Sequence, residues 1–175
     1  MKVRPVRPIV VMGVCGSGKS TLGAALAAQL GARFVEGDEF HPPANVERMA
    51  AGIALGDADR QGWLATLADL LGNARRDGRA VVLSCSALKR SYRDTLRTHA
   101  PDLALLHLSG APELLRERMA ARQGHYMPPS LLASQLATLE PPQPGELALT
   151  LDAAREPAAQ QRDALAWLRG LPPAV

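Results

Sequence analysis

Residues 13 to 20 read GVCGSGKS, directly after the apolar run Ile9-Val10-Val11-Met12. The pattern G-x-x-x-x-G-K-[ST], carried by Gly13, Gly18, Lys19 and Ser20, is that of a phosphate-binding loop when a strand precedes it and a helix follows. Glycines let the backbone adopt conformations closed to other residues. Consecutive N–H groups, here including those of Gly16 and Ser17, can then turn toward phosphate oxygens, and the helix start adds its positive dipole end. In such a loop Lys19 reaches the β- and γ-phosphates, Ser20 offers its hydroxyl to Mg²⁺, and Thr21 adds a hydrogen bond near the α-phosphate. The chemistry is that of a nucleotide phosphoryl group held together with Mg²⁺.

Phosphoryl chemistry also calls for a carboxylate near the transferred group. The third and fourth strand-like runs end VVLSCSA and LLHLSGA, neither with an acid, so the first strand-end acid to consider is Asp38 in FVEGDEF. That position faces the edge of an open α/β sheet where ligands collect. Asp38 can accept a proton from a substrate hydroxyl, help Ser20 position Mg²⁺, or do both, and the sequence leaves these roles open. A GTPase switch is the main competing reading, and two features weigh against it: DLLG at 69 to 72 falls inside a helical pattern, and no N-K-x-D motif occurs.

A small-molecule kinase further needs an acceptor pocket, positive charge over the phosphoryl group, and exclusion of water. Three segments supply candidates. DEFHPPANVERM brings Asp38, His41 and Arg48; GDADRQGWL brings Asp57, Asp59, Arg60 and Trp63; CSALKRSYR brings Lys89, Tyr92 and Arg93. Lys89 and Arg93 are spaced i and i+4, as on one helical face. Arg118 and Arg122 repeat that spacing and lead into a Gly/Pro-rich excursion at 124 to 129, which reads as a lid over the phosphates. Only three of the 20 basic residues are lysine, and Lys19 and Lys89 are the two internal ones, where a compact ammonium suits better than a planar fork.

The elements that must position these residues alternate. Strand-like runs cover 9–12, 33–35, 80–84, 103–108 and 147–151, and helical patterns cover 19–30, 44–51, 60–76, 89–99, 112–122, 130–139 and 158–168. Continuous apolar strands separated by amphipathic helices imply a parallel five-stranded sheet with helices on both faces and right-handed crossovers. The fold class is therefore α/β, a three-layer P-loop arrangement within one domain, with the lid near 118–138. At 175 residues, 47% hydrophobic and 21% charged, the chain has the length and composition of a globular unit, with no apolar run of membrane-spanning length. The basic N-terminal MKVRPVRP lacks a signal-peptide core, so a cytoplasmic location is expected. Two cysteines, Cys15 and Cys85, make no disulfide framework. Scattered arginines and six aromatics without a stacking series argue against nucleic acid despite the +3 charge.

Four stretches together, VMGVCGSGKSTLG, GDEFHPPANVERMAAGIALGDADRQGWL, LSCSALKRSYRDTLR and RQGHYMPPSLLASQLATLEPP, resemble the bacterial gluconate kinases of the P-loop type, in family order over nearly the whole chain. The resemblance implies transfer of phosphate from ATP to the 6-hydroxyl of D-gluconate, a fold like shikimate and adenylate kinases, and a homodimer. It matches Gly16 to Thr21 to the nucleotide loop, Asp38 to the carboxylate facing the acceptor hydroxyl, and Arg122 with His125 to the start of the lid. It also matches Lys89 and Arg93 to the polar segment near the acceptor. A kinase of the same fold acting on shikimate or another small sugar acid is the alternative. The chain departs from the family pattern at Cys15, where serine is usual, and at Gln61-Gly62.

Overall fold

The computed structural model describes residues 6–122 and 128–175. Five strands form one parallel sheet: β1 (Ile9–Met12), β2 (Arg33–Glu36), β3 (Val81–Ser84), β4 (Ala104–Ser109) and β5 (Ala148–Asp152). Their order is β2-β3-β1-β4-β5, with Val10 beside Leu83 on one side and Leu105 on the other. The chain runs from β1 out to the edge at β2, returns to β3, and then crosses to β4 on the far side of β1. That reversal places the topological switch at the carboxyl end of β1, where open α/β sheets bind ligands.

The apolar runs are continuous because the sheet is covered on both faces. Alternate β1 side chains point opposite ways. Val10 and Met12 join Leu67, Leu71, Leu83, Leu96 and Leu105 in one core, whereas Ile9 and Val11 join Leu22, Leu26, Val82, Leu106 and Leu165 in the other. The first core lies under α3 (Asp57–Arg76) and α4 (Arg90–Arg97), and the second under α1 (Lys19–Leu30) and α7 (Pro157–Arg169). The remaining helices are α2 (Pro43–Ala50), α5 (Pro112–Ala121) and α6 (Pro129–Thr138).

Helix boundaries follow local chemistry. Four helices, α2, α5, α6 and α7, begin on proline, whose missing N–H costs nothing in a first turn. Helix α1 ends at Gly31, whose left-handed backbone returns its N–H to the Ala27 and Ala28 carbonyls. Helix α3 begins three residues before the Arg60 expected from periodicity. Asp57 and Asp59 favour the positive helix end, and the Asp59 carboxylate accepts from the Gly56 N–H at 2.8 Å. Both cysteines are free and buried, and no helix among the described residues is long and apolar enough to cross a membrane.

Candidate active site

The glycine loop follows β1 and opens α1. Gly18 caps α1 with φ 95°, a left-handed conformation that a side chain would strain. Lys19 folds back over the loop, its Nζ donating to the Val14 carbonyl at 3.1 Å. Gly16, Ser17, Gly18 and Thr21 line an open cavity of about 330 Å³ together with Arg118, Arg122, Arg155 and Gln160. Gly13 lies at the root of the loop, its N–H directed at the Ser86 carbonyl. Arg118 is fixed by donating to the Ala153 carbonyl at 2.6 Å.

Beyond the loop tip a second cavity of about 550 Å³ is lined by Cys15, Ser20, Glu36, Asp38, Glu39 and Arg122, among others. Arg122 therefore borders both spaces. The Ser20 hydroxyl donates directly to the Glu36 carboxylate, a partner absent from the loop motif because it lies 16 residues on, at the end of β2. A hydroxyl and a carboxylate in contact are hard oxygen donors of the kind Mg²⁺ takes. Among the described residues no group of three or more His, Cys, Asp or Glu is arranged to hold a metal, so a Mg²⁺ here would arrive with the nucleotide's own oxygens.

Asp38 sits in a 3-10 turn, Gly37–Phe40, at the end of β2. Gly37 lets this turn press against β3, since a Cβ there would lie 2.5 Å from the Ser84 carbonyl oxygen. Buried Trp63 locks the turn by donating from Nε1 to the Gly37 carbonyl at 2.8 Å, and its ring stacks on His41 with centroids 4.0 Å apart. Asp38 also borders a third cavity of about 250 Å³, shared with Lys19, His41, Arg60, Ser86 and Gln135 and floored by Val46, Met49 and Leu55. Burial holds the His41 imidazole below its ordinary value; nearby Asp38 opposes that effect and Arg60 adds to it. Arg60 is steadied by donating to the Tyr92 hydroxyl at 3.0 Å. Tyr92 in turn donates to Asp57, which also pairs with Lys89 Nζ at 2.9 Å. These two hydrogen bonds, Tyr92's first, hold the exposed Asp57 carboxyl below the usual range.

Gln135 of α6 accepts from the Cys15 N–H at 2.7 Å, tying that helix to the glycine loop beside the third cavity. Nothing in local spacing marks this residue, because its partner is 120 positions away.

Lys19, Asp38 and His41 meet as the sequence suggests, whereas other expected acceptor residues do not join them. Arg93 is a correction. Its side chain is fully buried beneath α4, paired with Glu146 and donating to the carbonyls of Ala87, Leu88 and Glu140, so it offers nothing to an acceptor. Lys89 does not share its face: it is the extended N-cap of α4, turned toward Asp57. Arg48 pairs with Asp59 at 3.8 Å and is half exposed, lining none of these three cavities. His125, expected at the start of the lid, lies outside the described residues.

Comparison with known proteins places this geometry. The AAA domain family matches residues 9–142. A gluconokinase of Gluconobacter oxydans is 47% identical over 157 residues, spanning 90% of this chain and 88% of that protein. The chain belongs to the gluconokinase family. Within it, the thermoresistant gluconokinase of Escherichia coli is 42% identical over 133 residues, spanning 76% of each chain. The crystal structure of a gluconokinase from Sinorhizobium meliloti superposes with a TM-score of 0.85 at 49% identity, covering 95% of this chain and 93% of that one. An APS kinase from Mycobacterium tuberculosis, bound to AMPPNP and APS, shares the fold at a TM-score of 0.70 and 18% identity, covering 95% and 99% of the two chains.

Proposed function

We propose that this gluconokinase-family chain transfers the γ-phosphoryl group of ATP to the 6-hydroxyl of D-gluconate, giving 6-phosphogluconate. The observation that carries the reading is the position of Asp38, which borders both the cavity at the loop tip and the smaller cavity holding His41 and Arg60. A phosphoryl group held at Lys19 and an alcohol held at His41 would meet at one carboxylate.

The cavity lined by Gly16, Ser17, Gly18 and Thr21 with Arg118 and Arg155 would hold the nucleotide, and Lys19 would meet its terminal phosphates. Ser20 and Glu36 would hold the Mg²⁺ that ATP carries, which supplies neutralisation of charge on the phosphate oxygens. Arg122, which borders both the nucleotide cavity and the one at the loop tip, adds positive charge. In the acceptor cavity, the Arg60 guanidinium offers paired donors to a sugar-acid carboxylate, and His41 meets a hydroxyl. Val46, Met49 and Leu55 cover the carbon chain and displace water. As the new bond from the 6-oxygen to phosphorus forms and the bond to the leaving ADP oxygen breaks, Asp38 takes the hydroxyl proton. Arg118 and Arg122, which line the nucleotide cavity, belong to the segment read as a lid, and a homodimer working in the cytoplasm completes the reading.

Purified protein, ATP and Mg²⁺ with a panel of sugar acids tests this. 6-Phosphogluconate as the product supports it, and turnover of shikimate or another sugar acid in preference would replace the substrate while keeping the reaction. ATP binding without acceptor-dependent ADP release would remove the kinase reading. A sedimentation measurement giving a monomer would remove the dimer.

A further inference from the structure

We propose that Asn45 is a positioning residue that holds His41 as the neutral tautomer protonated on Nε2, so that His41 is a hydrogen-bond donor to the acceptor and not its base. The proposal rests on the reading of the 250 Å³ cavity as the acceptor site.

Asn45 is the buried residue of α2, only 4% exposed. Its Nδ2 lies 2.8 Å from the carbonyl oxygen of Asp59. A backbone carbonyl can only accept, so the end of the amide facing it must be the NH₂. The same Nδ2 lies 3.3 Å from Nδ1 of His41. An amide nitrogen donates and does not accept, so Nδ1 has to present its lone pair, and the ring proton of a neutral imidazole then belongs on Nε2. An imidazolium is disfavoured at the same place, because its Nδ1–H would point at another N–H.

Turning the ring over would put a ring carbon against Asn45 Nδ2 and give up this contact. Trp63 stacks on it at 4.0 Å with planes 17° apart, and Trp63 is itself 2% exposed and pinned through Nε1 to the Gly37 carbonyl. The other charged groups facing the cavity are Lys19, Arg60 and Asp38. Burial favours the uncharged ring, as the lowered His41 pKa indicates. With Nδ1 engaged and Nε2 already protonated, His41 has no free basic nitrogen. Asp38, the one carboxylate among the described residues lining this cavity, is left to take the proton. Asn45 thereby separates two neighbouring groups into a donor that selects for an acceptor oxygen and a base that activates it.

The test is long-range ¹H–¹⁵N correlation NMR on the ¹⁵N-labelled full chain near pH 7.5, with the His41 signals identified by their loss in His41→Gln. An unprotonated Nδ1 and a protonated Nε2, with the Nε2 signal moving on addition of D-gluconate, is the expected result. A proton on Nδ1, or an Nε2 signal that no sugar acid moves, overturns the proposal. Asn45→Asp should draw the proton to Nδ1 and raise KM for the acceptor about tenfold, with KM for ATP unchanged. In the His41→Gln background the same Asn45→Asp change should cost less than threefold, and equal costs in both backgrounds would also overturn it. The tautomer is read without turnover, so failure of gluconate as a substrate and failure of the Asn45 assignment are distinguishable.

Discussion

Arg93 and Glu146 form a fully buried, two-pronged ion pair, with Nε 2.8 Å from Oε1 and Nη2 2.9 Å from Oε2. The pair fastens the proline-rich segment 140–146 to the β3–α4 loop. Arg93 donates to carbonyls on both sides of that seam, and the Glu140 carboxylate accepts from the Arg90 N–H at 2.7 Å.

Removing one member strands the other. Glu146→Gln should lower stability at pH 7 by about 3–5 kcal/mol, the usual cost of an uncompensated buried charge. Burial alone would raise the Glu146 carboxyl, but hydrogen bonds from Arg93, the Gln143 N–H and Arg97 outweigh it and hold the group at about 2 against an ordinary 4.5. A depressed carboxyl contributes stability that is full above the unfolded value and lost as pH falls through the folded one. Urea melts of the wild type should weaken between pH 4.5 and 2, and Glu146→Gln should show a shallower loss over that window. Equal slopes would remove the assignment.

Lys19→Ala and Asp38→Asn should each suppress turnover strongly. For Asp38→Asn the loss expected of a missing proton acceptor is about 10²- to 10⁴-fold in kcat, with ATP affinity near normal. Unchanged kcat in Asp38→Asn would sink its role as base.

Glu36 and Ser20 lie in contact where the magnesium of ATP would sit. Glu36→Gln should therefore raise the Mg²⁺ concentration needed for half-maximal rate, measured at fixed ATP, while leaving KM for gluconate unchanged. A variant with wild-type Mg²⁺ dependence would remove Glu36 from the metal site.

Both thiols should be slow to react. Cys15 is buried 3.4 Å from Met119 Sδ, and burial raises its pKa despite nearby Lys19; burial drives Cys85 up to about 12. Thiolate is the reactive form. Alkylation at pH 7.5 should modify Cys15 slowly and more slowly still with ATP present, and Cys85 only after unfolding. Rapid labelling of Cys85 in the native protein, or equal Cys15 labelling with and without ATP, would contradict this.

Much of the fold was legible because its signals are local. Helix α1 falls on the residues expected, 19–30, since a capping Gly18 and a terminating Gly31 bracket it. The five strands fall within a residue or so of their apolar runs, because a parallel sheet covered on both faces needs no alternation to reveal it. The 3-10 turn carrying Asp38 was not legible. Its geometry depends on Trp63 reaching back from α3 and on Gly37 fitting against β3, contacts that no window of neighbouring residues contains.

The sequence by itself determined that a glycine loop lies between a strand and a helix, and hence that this protein handles nucleotide phosphate, since that arrangement of amides is built from eight consecutive residues. Tertiary structure decided which of the surrounding charges face the chemistry. Lys89 and Arg93 are four apart, yet one is an extended cap pointing to Asp57 and the other is a buried partner of Glu146. Glu36, Arg60 and Gln135 reach the site only because β2, α3 and α6 converge on the loop. A charged side chain takes its role from whichever opposite charge or carbonyl the fold brings within about 3 Å, and that distance is not written in sequence separation.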